Sequence, residues 1–147
     1  MDIAGFLEGR TPDHRGRTLA MVFAFSDERA EQKHDYMQWL FPLAEPIGSV
    51  HGAPILSDLD IEDIKQSPAA QASLIKASGW FFEFLVRNQR WIAKYDHNQL
   101  RITRITRSLR QLVGDKEANK FGQSLFDYLG DDIALIGKKA KSFWSQA

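Results

Sequence analysis

Two stretches of the chain carry residues whose types and spacing could do chemistry. The first is His34-Asp35-Tyr36-Met37-Gln38-Trp39. Positions four apart share a helix face, so His34 and Gln38 lie together, with Asp35 and Trp39 alongside. That set could form a polar pocket mouth, Trp39 giving a flat wall and His34 or Asp35 a hydrogen bond. It could equally be structural, with Trp39, Leu40 and Phe41 in the core and His34 and Gln38 satisfying buried backbone. The second stretch opens at His97-Asn98 and carries Arg101, Arg104, Arg107 and Arg110. At about 100° per residue, arginines three apart fan across a helix face rather than forming one column. Asp35 facing Arg101 or Arg104 would give a bidentate ion pair suited to a partly buried place. An arginine left over would offer an anion site for phosphate, carboxylate or nucleic-acid backbone.

Other chemistries find less support. The histidines, at 14, 34, 51 and 97, are far apart and show no His-x-x-x-His spacing, so neither a metal site nor a cofactor is expected. Cysteine is absent, which excludes disulfides, thiolate metal ligands and a cysteine nucleophile. There is no nucleophile elbow and no Gly-rich phosphate loop. An enzyme using His34 or His97 as acid or base stands as one alternative, since imidazole titrates near neutral pH. A nucleic-acid helix over Arg101 to Arg110 is another, with Thr103, Thr106, Arg87, Arg90 and Lys94 for phosphate and Trp91 and Tyr95 for stacking. Against it stands the overall charge balance, 19 basic against 19 acidic residues.

The elements that position these groups are helices. Ile102, Ile105, Leu109 and Leu112 step by three and four and make one apolar stripe, ended by Gly114. Arg101 and Arg110 should border that stripe, and Arg104 and Arg107 should point away from it. Asp96 is the expected cap. Ser26 caps a helix running to about Leu40 and stopped by Pro42. Thr11 to Gly16 has turn chemistry and reads as an exposed loop. Five Pro and Gly residues make 41–57 an irregular connection, with the segment from Pro42 to Pro54 long enough to be either packed or functional. Ser57 or Asp58 caps a short helix, and Ser67-Pro68 opens a long one. Asp115 starts another, and Ile133 to Trp144 reads as the last, with Lys138, Lys139 and Lys141 suiting its C-terminal half. With no alternating strand pattern, the reading is an all-α, single-domain bundle of about six or seven helices over 1–147. No basic leader opens the sequence and no apolar run approaches the roughly 18 residues of a membrane span, so a soluble, cytoplasmic protein is expected.

His34-Asp35-Tyr36-Met37-Gln38-Trp39-Leu40-Phe41-Pro42-Leu43-Ala44-Glu45-Pro46 resembles the signature of the opioid growth factor receptor conserved domain. The pattern is a histidine, an aromatic, Met-Gln-Trp-Leu-Phe-Pro-Leu, and Glu-Pro shortly after. His97-Asn98-Gln99-Leu100-Arg101-Ile102-Thr103-Arg104-Ile105, with Ser108-Leu109 following, resembles the family's second signature in the same order and at the same separation. The likeness is strongest over 27–126. The vertebrate member is described as a receptor for an enkephalin-type peptide and carries long extra regions. This chain looks more like the short, stand-alone members of bacterial type. The resemblance implies no catalytic residue set; it implies a binding or interaction module.

The expected ligand site therefore combines both stretches: His34, Asp35, Gln38, Trp39, His97, Asn98, Arg101 and Arg104, with the segment from Pro42 to Pro54 as rim. Arg101 and Arg104 would hold an anionic group, His34 and Asn98 would orient it, and Trp39 would supply apolar contact. The partner would be a small anionic molecule, a peptide or a protein. Nucleic acid is not the expected partner, and a homodimer through exposed apolar surface is a further reading.

Overall fold

The computed structural model describes residues 1–45 and 53–147 of the chain. Most of its helices begin where the sequence supplies a side-chain cap, each contributing about 1 kcal/mol. Asp2 accepts from the Gly5 amide to open α1 (Ile3–Leu7), and Thr18 from Met21 to open α2 (Leu19–Phe23). Ser26 caps α3 (Asp27–Gln32), which is followed by α4 (Tyr36–Leu40). Ser57 and Asp60 form a reciprocal capping box on α5 (Asp58–Gln66). Ser67 Oγ accepts from the Ala70 amide at 3.1 Å at the start of α6 (Pro68–Arg87). Asp96 accepts from the Asn98 amide at 2.8 Å to open α7 (His97–Leu112). Gly114, at φ 134°, turns the chain into α8 (Asp115–Leu129), and α9 (Lys138–Gln146) is the last. Short 3-10 turns occupy Gln89–Trp91 and Gly130–Leu135.

The all-α class is as read from the sequence; among the described residues there is no strand. Among the described residues there are more helices than the six or seven expected: the short α1 and α2 both form, and two of the expected helices are broken. The one from Ser26 stops at Gln32, where Lys33 turns extended (ψ 141°), and restarts at Tyr36. The Tyr36 hydroxyl spans the break, donating to the Ala30 carbonyl at 2.7 Å. The last helix is divided at Ile136, which is extended (ψ 135°), and at Gly137. Gly137 N donates to the Lys94 carbonyl at 3.2 Å, and a Cβ on Gly137 would lie 2.5 Å from that oxygen. Glycine is required there for close approach, not for an unusual φ. The break moves Lys138, Lys139 and Lys141 from the expected C-terminal half of a helix to the start of α9, where the macrodipole disfavours cations.

The chain divides into two compact units, Met1–Ala77 and Ser78–Ala147, the division falling within α6. In the first unit α1 packs on α4 and α5, with Phe6 edge-on to Trp39 at 5.5 Å. In the second, α7 is central and packs against α8, α9 and the Gln89–Trp91 turn. The predicted stripe lies inside: Ile102, Ile105, Leu109 and Leu112 are each at most 1% exposed. Gln99 ties the elements together, its amide donating to the Trp91 and Ala93 carbonyls at 2.9 and 2.8 Å while its own carbonyl accepts from Trp144 Nε1 at 3.0 Å. Among the described residues, no helix is long and apolar enough to cross a membrane.

Candidate functional site

The residues expected to share a site divide between the units: His34, Asp35, Gln38 and Trp39 in the first, and His97, Asn98, Arg101 and Arg104 in the second. Most of the expected rim, 46–52, lies outside the described residues, as does His51.

In the first unit Gln38 and Trp39 are buried and His34 is exposed. Asp35 is the hub of a charged cluster built largely by the Thr11–Gly16 loop. Arg17 Nη1 donates to Asp35 Oδ1 at 2.9 Å and Arg15 Nε to Asp35 Oδ2 at 2.7 Å. Arg17 Nε also meets Asp13 Oδ2 at 2.7 Å, while Asp13 Oδ1 accepts from the Arg15 and Arg17 amides. The turn that reads as exposed thus hides a carboxylate, and Asp13 is 5% exposed. Burial on its own would raise the Asp35 carboxyl, but the hydrogen bonds and charges of Arg17, then Arg15, outweigh it and hold it below the usual carboxylate range. Trp39 Nε1 donates to His14 Nδ1 at 2.9 Å, which leaves the neutral ring's proton on Nε2, 3.6 Å from Asp35 Oδ2. Sequence reasoning assigned Asp35 to Arg101 or Arg104 and missed His14, Arg15 and Arg17. The Asp13-to-Arg17 spacing of four was the available signal.

In the second unit Asn98 is buried and accepts from Arg101 Nη1 at 3.1 Å; Arg101 is itself buried, its guanidinium over the Phe81 ring at 5.9 Å. Arg104 and Arg107 are half-buried rather than turned outward, because α7 is flanked on several sides. Burial pushes the Arg104 guanidinium down to about 10, so it stays protonated at neutral pH. Arg110 donates to the Ala147 carbonyl, Asp115 and Asn119. Thr103 and Thr106 return their hydroxyls to α7's own carbonyls, those of Gln99 and Ile102.

His97 lies on the outer side of α7, in a groove of about 410 Å³ between the start of α7 and α9. Tyr95, His97, Leu100 and Thr103 form one wall, and Lys139 and Phe143 the other. Tyr95 and Leu100 are 72% and 65% exposed, so this wall presents apolar surface to solvent. Asp96, also in the lining, is committed to capping α7. Apolar walls with a few polar groups are the usual make-up of a recognition groove. Among the described residues no cluster of His, Asp and Glu could hold a metal ion. Of the residues expected to form the ligand site, only His97 lines this groove, since α9's share of it depended on the break at Gly137.

The comparisons with known proteins agree with the two signatures. Residues 17–126 match the family model described as the opioid growth factor receptor (OGFr) conserved region. The chain is 34% identical over 100 residues to the opioid growth factor receptor of Homo sapiens, covering 56% of this chain and 15% of that protein. It is 33% identical over 100 residues to the receptor of Rattus norvegicus, covering 56% and 17%. To opioid growth factor receptor-like protein 1 of Mus musculus it is 33% identical over 102 residues, covering 58% and 22%. The match thus spans less than a quarter of each of these relatives. No solved structure matches the chain. By the extent of the family match and the two signatures that carry it, the chain belongs to the opioid growth factor receptor conserved-region family.

Proposed function

We propose that the chain is a binding module for a polypeptide segment and that its ligand lies in the groove between α7 and α9. The observation that carries this reading is the groove itself, an open trough of about 410 Å³ whose large apolar side chains are exposed beside His97 and Lys139. Leu100 and Phe143 would receive an apolar side chain. Lys139 would face an anionic group, and His97 and Thr103 would exchange hydrogen bonds with the backbone of the segment. Asn98 and Arg101 act from behind the groove by fixing the first turns of α7. Asp35, Gln38 and Trp39 serve the packing of their own unit in this reading, and His34 and Arg104 take no direct part. The relatives' name, a receptor for a growth factor, is consistent with a polypeptide ligand. A trough open to solvent suits docking better than acid–base chemistry, which profits from excluded water.

A displayed peptide library selected on the whole chain tests it, with counter-selection on Leu100→Asp. Leu100 is exposed, so the variant should fold. A recurring set of sequences enriched on the native chain and absent from the variant is the expected result. No enrichment, or the same sequences from both, would overturn the reading.

A further inference from the structure

The zero net charge conceals a strong asymmetry. Met1–Ala77 holds seven Lys and Arg against twelve Asp and Glu, whereas Ser78–Ala147 holds twelve against seven. The groove belongs to the basic unit. Lys94, Lys138 and Lys139 are exposed, Lys94 beside the Tyr95 ring and the other two at the start of α9. No acidic residue stands in α9's first turn to offset them, although acids are what that end of a helix favours. A charge arrangement that opposes local stability without compensation is expected where function requires it. Asp96 is the one carboxylate among the lining residues; its Oδ1 accepts from the Asn98 amide and lies 3.9 Å from His97 Nδ1, and its single charge is outnumbered by the three lysines.

We infer that the segment bound in this groove is acidic: an apolar anchor side chain flanked by Asp or Glu. This rests on the groove being the binding site, as proposed above. Leu100 and Phe143 take the anchor, and Lys94, Lys138 and Lys139 meet the flanking carboxylates at the rim. Exposed rim charges add modest affinity individually but select among partners and speed encounter. A polypeptide is favoured over nucleic acid because each of the four arginines of α7 is buried or half-buried, which leaves the arginine helix without a fully exposed guanidinium, and the walls at Leu100 and Phe143 suit a side chain.

The test uses two labelled synthetic peptides with the same Phe-Leu anchor, one flanked by glutamates and one by glutamines. Fluorescence anisotropy follows their binding to the whole chain, to Leu100→Asp and to the double variant Lys138→Glu/Lys139→Glu, whose sites are all exposed. The glutamate peptide should bind on the order of tenfold more tightly at low salt. That preference should shrink at high salt and disappear in the lysine variant, and Leu100→Asp should abolish binding of both. Equal affinity for the two peptides, still lost in Leu100→Asp, would overturn the acidic preference and leave the groove reading standing. Binding of neither, or binding indifferent to Leu100→Asp, would overturn both. Two further results would also overturn the inference by giving the groove another occupant. One is displacement of the glutamate peptide by a single-stranded oligonucleotide at lower concentration than by unlabelled peptide. The other is salt-sensitive self-association on sedimentation that Leu100→Asp removes.

Discussion

Replacing Asp35 by Asn removes one charge from the cluster while nearly preserving its shape. The expected cost follows from the exposure of each partner. Arg15 is 66% exposed, and its contact with Asp35 contributes at most about 0.5 kcal/mol. Arg17 is 7% exposed and Asp35 12%, so their contact is largely desolvated. Leaving a buried charge wholly unpaired costs roughly 3–5 kcal/mol. Here Arg17 keeps Asp13 and the introduced amide still accepts a hydrogen bond, so about 2 kcal/mol is expected at neutral pH. A second signature comes from proton linkage. The folded carboxyl titrates below its unfolded value, so the unfolded chain binds more protons and stability rises with pH through that window. The contribution is complete above about pH 4, the unfolded value, and is lost as pH falls through the lower folded value. Urea unfolding of the native chain and Asp35→Asn should therefore differ by about 2 kcal/mol at pH 7 and progressively less below pH 4. A difference under about 0.5 kcal/mol at pH 7, or one that does not change with acidification, would refute this account of the cluster.

Two glycines of the second unit give opposite expectations. Gly122 is mid-helix in α8 beside an apolar cavity of about 30 Å³, and a Cβ there meets nothing within 4 Å. Gly122→Ala should stabilise by about 1 kcal/mol from helix propensity, seen as a raised Tm; a lowered Tm would contradict it. Gly137→Ala forces a Cβ onto the Lys94 carbonyl and should destabilise by about 1–3 kcal/mol. Hydrogen exchange should quicken first in α9, and unchanged protection there would show that the contact is not needed.

The helices were legible because caps and stripes are local. Ser26, Ser57, Ser67 and Asp96 act within three residues of their own backbone, and Ile102 to Leu112 needs only one face buried. The break at Lys33 was not legible, since nothing between Ser26 and Leu40 forbids helix; the Tyr36 hydroxyl and its Ala30 carbonyl meet only after folding. Arg104 and Arg107 were read as outward because one apolar stripe implies one buried side, whereas α7 has neighbours on several. The candidate site was the least legible part. Asp35 has two arginines eighteen and twenty residues upstream, in a stretch whose turn chemistry conceals an ion-pair cluster. Half the groove depends on Gly137, whose role is set by a carbonyl more than forty residues away.

No residue of α9 is buried, and the helix is held by a small number of tethers: the Trp144 indole on the Gln99 carbonyl, Arg110 on the Ala147 carbonyl, and the Gly137 amide on Lys94. An element with so little burial opens at a lower free energy than the core it leans on. One wall of the groove is therefore expected to open before the core does, and a segment touching both walls would bind only the docked state. The apparent affinity equals the intrinsic affinity scaled by the docked fraction. Strengthening or cutting a tether at Arg110 or Trp144 would then tune binding through population alone, at residues outside the groove lining.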